Sequence, residues 1–377
     1  MVMPATLDPL PEPGTLEMRR IPFSDIPRAA WDQLFDLTPA ATPFSRWTFH
    51  RAWWDAYGGT AQERYLVLTT AGHLDIRGIV PLMERSGDMV DAPVPEPPLT
   101  VYMAASYRAD YSTILARPTD LPDVARMVAD DLAGPSGSGT RPADWDVVDL
   151  RRLRADDAAL HHLRDALDRR SDDAGWTVLL EEEDVCPVIT LGTDWETYLA
   201  GLGKKARHEI RRKLRRAHGA GGISLRHLPL DAHSVDRFIE LHQARWGAVG
   251  LFPPTEGGDR SRCFLHRLVE LESHEGSAGA MHIGEVQVGD RVVYMYVGFV
   301  SGRTCYFYNA GMDPAASDLS PGVVGMAAYL QERIRAGTIH FDLLRGDEPY
   351  KYEWGAVDQP ICRLVVERRT QMPPACA

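Results

Sequence analysis

Residues 308–355 read YNAGMDPAASDLSPGVVGMAAYLQERIRAGTIHFDLLRGDEPYKYEWG, and their pattern decides the fold. The stretch opens at the end of an apolar strand and runs into a turn-rich loop. Ser320-Pro321-Gly322 then starts a helix: Ser is a good N-cap, and Pro at the first helical position loses no needed N–H. Val323, Ala327, Leu330 and Ile334 recur on one helical face, and Gly337 stands where a left-handed C-cap belongs. From Thr338 to Leu344 the residues alternate, with Ile339, Phe341 and Leu343 on one face and His340 and Asp342 on the other. Strand, loop, helix, strand with a right-handed crossover makes the two strands parallel. The loop at the helix N-terminus is then an anion site by geometry, because free N–H groups and the helix dipole point there.

Composition sets the wider frame. A chain of 377 residues suits two domains, and 44% hydrophobic with 25% charged residues is the balance of an ordinary globular protein. A net charge of −12 argues against a nucleic-acid coat, so DNA is not an expected partner. The first residues, MVMPATLDPLPEPG, lack a basic region followed by an apolar run, so no signal peptide is expected. No stretch of about 18 apolar residues occurs, so no membrane insertion is expected. The five cysteines are odd in number, scattered and without CxxC; they read as free thiols in a reducing compartment, which makes the cytoplasm the expected location. Thirteen histidines show no HxxxH or His/Cys ligand spacing, so no metal is expected.

Along the chain, residues 1–15 are Pro-rich and expected to be loose. Helices are expected at 29–37 and 46–57, the second carrying Trp47, Trp53 and Trp54 as aromatic core. A strand pair follows at 65–70 and 74–83, then a Pro-rich loop at 91–100. Asp110-Tyr111 opens an expected strand, YSTILA. Residues 134–144, GPSGSGTRPAD, have linker composition. WDVVDLR, with Asp149 and Arg151, echoes IHFDLLR, with Asp342 and Arg345, and each follows a helix. EEEDVCPVITL leads into a new helical region, which places a boundary near Thr190. The expected division is a flexible segment 1–15, an N-terminal domain 16–190 and a C-terminal domain 191–377 that carries the donor site, the two domains packed face to face.

The segment after Gly203 is strongly basic. Lys204, Lys205, Arg207, Arg211, Arg212, Lys213, Arg215 and Arg216 surround a narrow apolar seam of Ala206, Ile210, Leu214 and Ala217. Like charges this close repel unless an anion is near; a solvated face is the alternative. Arg207 and Arg211, one turn apart, are the candidates for facing one phosphate. Strands are expected at 278–288, 291–300 and 303–311, joined by turns at Gly289-Asp290 and Ser301-Gly302.

A helix opened by SPG, a strand ending FDLLRG and then YKYEWG together resemble the acetyltransferases of the cellulose-biosynthesis (CelD/BcsL) type. That family belongs to the GNAT acyltransferase superfamily and is related to the Fem-type transferases, which take amino acids from aminoacyl-tRNA. The aromatic PF…W helix, Pro81-Leu82, Asp110-Tyr111, the basic helix and the LH…RW…G segment ending in Trp246 extend the resemblance over most of 40–367. It implies an α/β fold of tandem GNAT-like domains with mixed central sheets. It implies a cytoplasmic N-acyltransferase, acetyl-CoA or another acyl-CoA as co-substrate, and an amine acceptor on a sugar, peptide or cell-envelope precursor. An aminoacyl-tRNA donor, and a non-catalytic binding protein in polysaccharide synthesis, are the alternatives. Donor contacts then fall on Asn309, Gly311, Ser320, Gly322, Val323, Arg207 and Arg211, and acceptor contacts on Asp110, Tyr111 and Trp246. The usual GNAT phosphate loop has the form Gln/Arg-x-x-Gly-x-Gly/Ala, where this chain has DLSPGVVG.

Asp342 can act as a base or position an amine, with an ion pair to Arg345 as its structural alternative. Tyr350 can protonate a leaving thiolate or simply pack beside Trp354. Lys351 can contact phosphate or carbonyl as a mobile point charge; as a surface residue, its removal would leave folding untouched.

Overall fold

A computed structural model describes residues 15–71, 75–86, 98–134 and 145–369. The N-terminal segment, the linker and most of the Pro-rich loop at 91–100 lie outside the described residues. The eight strands that matter most are β1 (Val147–Arg154), β2 (Trp176–Thr190), β3 (Ile223–Leu228), β4 (Met281–Val288), β5 (Arg291–Ser301), β6 (Thr304–Met312), β7 (His340–Asp342) and β8 (Val357–Arg368). They lie in the order β3-β4-β5-β6-β7-β2-β8-β1, and Leu99–Met103, Leu82–Ser86 and Gln62–Glu63 continue the same sheet beyond β1. Leu16–Arg20, Leu66–Thr70, Ile76–Val80 and Leu115–Ala116 form a second, antiparallel sheet. Among the described residues no helix is long and apolar enough to cross a membrane.

Face-to-face packing of two halves is therefore corrected. The strands of both halves meet edge to edge in one sheet, because β2 and β8 pair along nearly their whole length, from Val357 opposite Val188 to Arg368 opposite Trp176. The acidic run at 181–184, read as leading up to the boundary near Thr190, lies inside β2. Its charge is matched across strands: Arg363 lies 3.6 Å from Glu181 and Arg151 lies 3.9 Å from Glu183. Cross-strand pairs of opposite charge let a polar run persist in a sheet. The strand expected from Tyr111 shrinks to Leu115–Ala116 plus a bridge from Ser112 to Leu153.

The internal echo has a structural counterpart. Leu99–Met103 runs parallel to β1, and β6 runs parallel to β7. Each second strand follows a helix, Leu121–Ala133 or Pro321–Arg335, and each carries a buried aspartate, Asp149 or Asp342.

Alternation along β5 separates two cores, as the period of a strand requires. Met295, Val297 and Phe299 face one layer with Phe238 and Phe264, while Tyr294 and Tyr296 face another with Ile210 and Tyr329. The helices concerned are α1 (Lys204–Gly219), α2 (Ala232–Trp246), α3 (Glu256–His274) and α4 (Pro321–Arg335). The first core also takes in Trp53 and Phe49 from the helix Trp47–Tyr57, so both halves contribute to it. Glu272 on α3 stitches this contact: it accepts from Thr48 and from the N–H groups of Ala280 (2.7 Å) and Met281 (3.2 Å).

Helix α2 lies almost on the backbone of β6. A Cβ placed on Gly311 would stand 2.6 Å from the His242 nitrogen, closer than real Cβ atoms approach. Gly311→Ala is expected to push α2 outward and to lower stability by about 1–3 kcal/mol, the usual cost of overpacking. Urea denaturation measures it; an unchanged midpoint would mean that the helix yields freely.

Candidate active site

The parallel pair β6/β7 lasts only three residues, Thr304–Tyr306 against His340–Asp342. Beyond it the strands part. The chain after β7 stays with β2, where Leu343 N donates to Pro187 O (3.0 Å) and Gly346 N to Val185 O (2.9 Å). Strand β6 stays with β5, through a bulge that pairs Val297 with Asn309 and Gly298 with Phe307 and leaves Tyr308 over. Bulges re-aim side chains, and here Tyr308 and Asn309 both line the opening. The gap between the strands is a cavity of about 990 Å³, large enough for a cofactor-sized ligand.

One wall is the start of α4. Ser320, Pro321, Gly322 and Val323 line the cavity. Ser320 is not the side-chain cap the sequence suggests: it sits left-handed (φ 56°), its hydroxyl caps nothing, and its carbonyl accepts from Val323 N (3.0 Å) and Val324 N (3.1 Å). Among the described residues the Gly322 N–H has no partner, so the helix presents a free donor at its positive end. At the C-terminus of α4, Gly337 is left-handed (φ 79°) as expected.

The opposite wall is the segment 343–354. Leu344 (φ 57°) and Gly346 (φ 107°) are both left-handed, which turns carbonyls away from any ladder. Lys351 repairs this. Its side chain is buried, and its ammonium donates to the carbonyls of Leu344 (2.8 Å), Arg345 (2.8 Å) and Gly346 (3.0 Å), with the Glu348 carboxylate 3.0 Å away. The surface position expected for Lys351 is thus corrected: three backbone acceptors with no other partner draw the cation inward. Asp342, 4% exposed, accepts from Tyr111 Oη (2.7 Å) and Leu344 N (2.8 Å) rather than pairing with Arg345. Burial, more than these bonds, sets its pKa and raises it to about 7.

On the far side α2 contributes His242. Its ring lines the cavity, its Nδ1 is buried without a hydrogen-bond partner, and burial lowers its pKa to about 4, so the imidazole is neutral at pH 7. The sequence placed this histidine in a segment without giving it a role; the signal it carries is a His one turn before Trp246, on the stretch of α2 whose backbone packs against Gly311.

Residues 204–352 match the family model described as acetyltransferase (GNAT) domain. The match spans 149 of the 377 residues, and the fold there is that of a GNAT-type acyltransferase domain. No curated protein matches the sequence. By fold the chain is similar to FemX (TM-score 0.57, 10% identity, 92% of this chain and 96% of that one). It is also similar to a conserved protein from Bacteroides thetaiotaomicron (TM-score 0.54, 12% identity, 94% and 100%). A third likeness is to the C-terminal domain of a putative lysylphosphatidylglycerol synthetase from Agrobacterium fabrum (TM-score 0.50, 10% identity, 91% and 91%).

The GNAT cavity gathers Asn309, Ser320, Gly322, Val323, Tyr350, Lys351, Asp110 and Trp246 from the expected set. Gly311 instead faces the α2 backbone, and Asp342 and Tyr111 stand behind the wall, bonded to each other. Arg207 and Arg211 do not reach it: Arg207 donates to Ala200 O (2.8 Å), and Arg211 pairs with Glu196 (2.5 Å). The residue of the basic helix that approaches α4 is Arg216, which donates to Asp318 O (2.6 Å).

Two outcomes follow from the buried charges. Lys351→Ala leaves three carbonyls and a carboxylate without their cation, and is expected to cost about 2–4 kcal/mol of stability, read from chemical denaturation; a variant as stable as the parent would make the ammonium dispensable to the loop. The raised pKa of Asp342 means that the folded chain keeps a proton the unfolded chain releases. The stabilisation is full below about pH 4 and is lost as pH rises towards 7. Asp342→Asn should therefore gain on the parent between pH 4 and pH 8, by on the order of 2–4 kcal/mol at ~1.4 kcal/mol per pKa unit. A stability difference independent of pH would contradict this.

Proposed function

We propose that the chain transfers an acyl group from acyl-CoA, acetyl-CoA first among them, to an amine of a sugar, peptide or cell-envelope precursor. The observation that carries this reading is the cavity where β6 and β7 part, walled by the start of α4 on one side and by His242 on another. The strand edge left by the splay offers backbone groups to an extended donor arm, and the free Gly322 N–H suits its phosphates. The amine nitrogen forms a bond to the acyl carbon, and the bond from that carbon to the donor sulfur breaks. Once bonded to the acyl carbon the nitrogen becomes acidic, so its proton can pass to the neutral His242 Nδ1 although that ring is a weak base. Tyr350, whose pKa burial raises to about 12, is a neutral hydroxyl on the same cavity and can donate to the leaving sulfur. Asp342 then serves to hold Tyr111 and the Leu344 turn, and Lys351 to hold the loop.

The start of the family match at residue 204 supports dividing the chain near residue 190, with the donor site in the C-terminal part. The SPG, FDLLRG and YKYEWG segments support placement near the cellulose-biosynthesis type. One observation favours aminoacyl-tRNA as a second donor reading. Lys204, Lys205, Lys213 and Arg215 form no salt bridge among the described residues, and such a run suits a polyanion.

Thermal-shift titration with acetyl-CoA, longer acyl-CoAs and charged tRNA tests the donor. A ligand at 100 times its Kd adds about 2.7 kcal/mol to native stability, which raises Tm by several degrees; no response to any acyl-CoA would remove that donor. His242→Gln is expected to lower kcat by about 100-fold or more with donor affinity kept. Full turnover by that variant would take the proton elsewhere.

A further inference from the structure

The cavity holds more positive charge than its own carboxylates answer. Asp110 pairs with Arg345 (3.3 Å), Asp313 with Arg291 (2.5 Å) and Glu348 with Lys351 (3.0 Å), while Glu353 and Arg245, which also line the cavity, form no ion pair among the described residues. Arg108 and Arg152 also line the cavity, and among the described residues neither forms an ion pair. Arg108 donates only to neutral oxygens, Tyr57 Oη (2.9 Å) and Ser261 Oγ. Arg152 donates to the carbonyls of Ser106 and Ala109, while its Nε is buried with no partner. The carboxylates within electrostatic reach of Arg152 are Asp110 and Glu183, and Arg345 and Arg151 oppose them. Glu183 is already engaged by the Arg152 backbone N–H (2.8 Å).

Backbone strain points the same way. Arg152 is left-handed (φ 64°), in a bulge where Cys362 faces Leu153 and Leu364 faces Leu150, so that Arg151 and Arg152 together oppose Arg363. A non-glycine residue in that conformation is costly and persists where the surroundings impose it. Here the strain accompanies a guanidinium at the cavity wall with one donor unspent.

We infer that the acceptor amine carries an anionic group, a phosphate or a carboxylate, which docks on Arg108 and Arg152. Two guanidinium groups in a shared concavity, short of counter-charge, are a fork for such oxygens. Both stand on the segments Tyr107–Asp110 and β1, away from the α4 start that suits the donor. The inference rests on the acyl-transfer reading for the word acceptor, but the anion site itself does not.

Calorimetric titration of the full chain with matched amines tests it. O-phosphoethanolamine and β-alanine are compared with ethanolamine and propylamine, with inorganic phosphate as the anion alone. Anionic amines should bind at least tenfold more tightly than neutral ones, and Arg152→Gln should abolish that preference while acetyl-CoA binding persists. Arg108→Gln should do the same, which guards against a single variant that fails to fold. Equal binding of neutral and anionic amines by the wild-type chain would overturn the inference without any variant. Phosphate binding that survives both substitutions would also overturn it, by placing the anion elsewhere, the α4 start included. A chain that ignores acetyl-CoA yet still prefers anionic amines would lose the donor reading and keep this site.

Discussion

Two strands that start as parallel neighbours and then separate leave backbone groups without ladder partners, and the architecture of the site is the set of repairs to that defect. Buried carbonyls without donors cost free energy, so each needs a partner. Strand β6 keeps β5 by accepting a bulge at Tyr308. The chain beyond β7 keeps β2, turns twice into left-handed conformations and hands its freed carbonyls to one buried ammonium, Lys351. The cavity is the space that these repairs hold open.

The same economy of partners ties the two halves together. Tyr111, before the short N-terminal strand, donates to Asp342 at the end of β7, and Tyr308 Oη donates to Arg108 O (3.2 Å). The wall of the GNAT cavity is thus completed by residues more than 130 positions upstream of β6. A carboxyl with a pKa near neutrality behind one wall and a neutral imidazole on another give the site little net negative charge of its own. The guanidinium groups of Arg108 and Arg152 then set its electrostatic character.

Much of the fold was legible because local rules agreed. The SPG helix start, the Gly337 stop and the alternation through Phe341 specify strand, helix, strand without help from elsewhere, and the hairpins at Gly289 and Gly302 appear as read, with φ of 59° and 57°. The length of β2 was not legible, because EEEDV carries no alternating apolar signal and its cross-strand partners, Arg363 and Arg151, are distant in sequence. Lys351 misled for a related reason. Sequence shows a lysine after a strand, but only the three-dimensional path shows the carbonyls that draw it inward. Arg207 and Arg211 share a helical face as read, yet that face turns to Ala200 and Glu196, since the apolar seam through Ile210 and Leu214 fixes the rotation. His242 and Arg152 could be found only where non-local packing leaves a donor or lone pair unspent.

Strand β8 lies between β1 and β2, with β1 on one edge and β2 on the other. Both neighbours are synthesised long before it, by some 165 to 210 residues, judged from their ranges. During translation the upstream half therefore carries a slot in its sheet, with two open edges that attract any exposed strand. Closure must wait until β8 leaves the ribosome, so the upstream half completes its sheet late even though most of its residues are made first. A nascent chain stalled before Val357 would present that slot to chaperones or to other copies of itself.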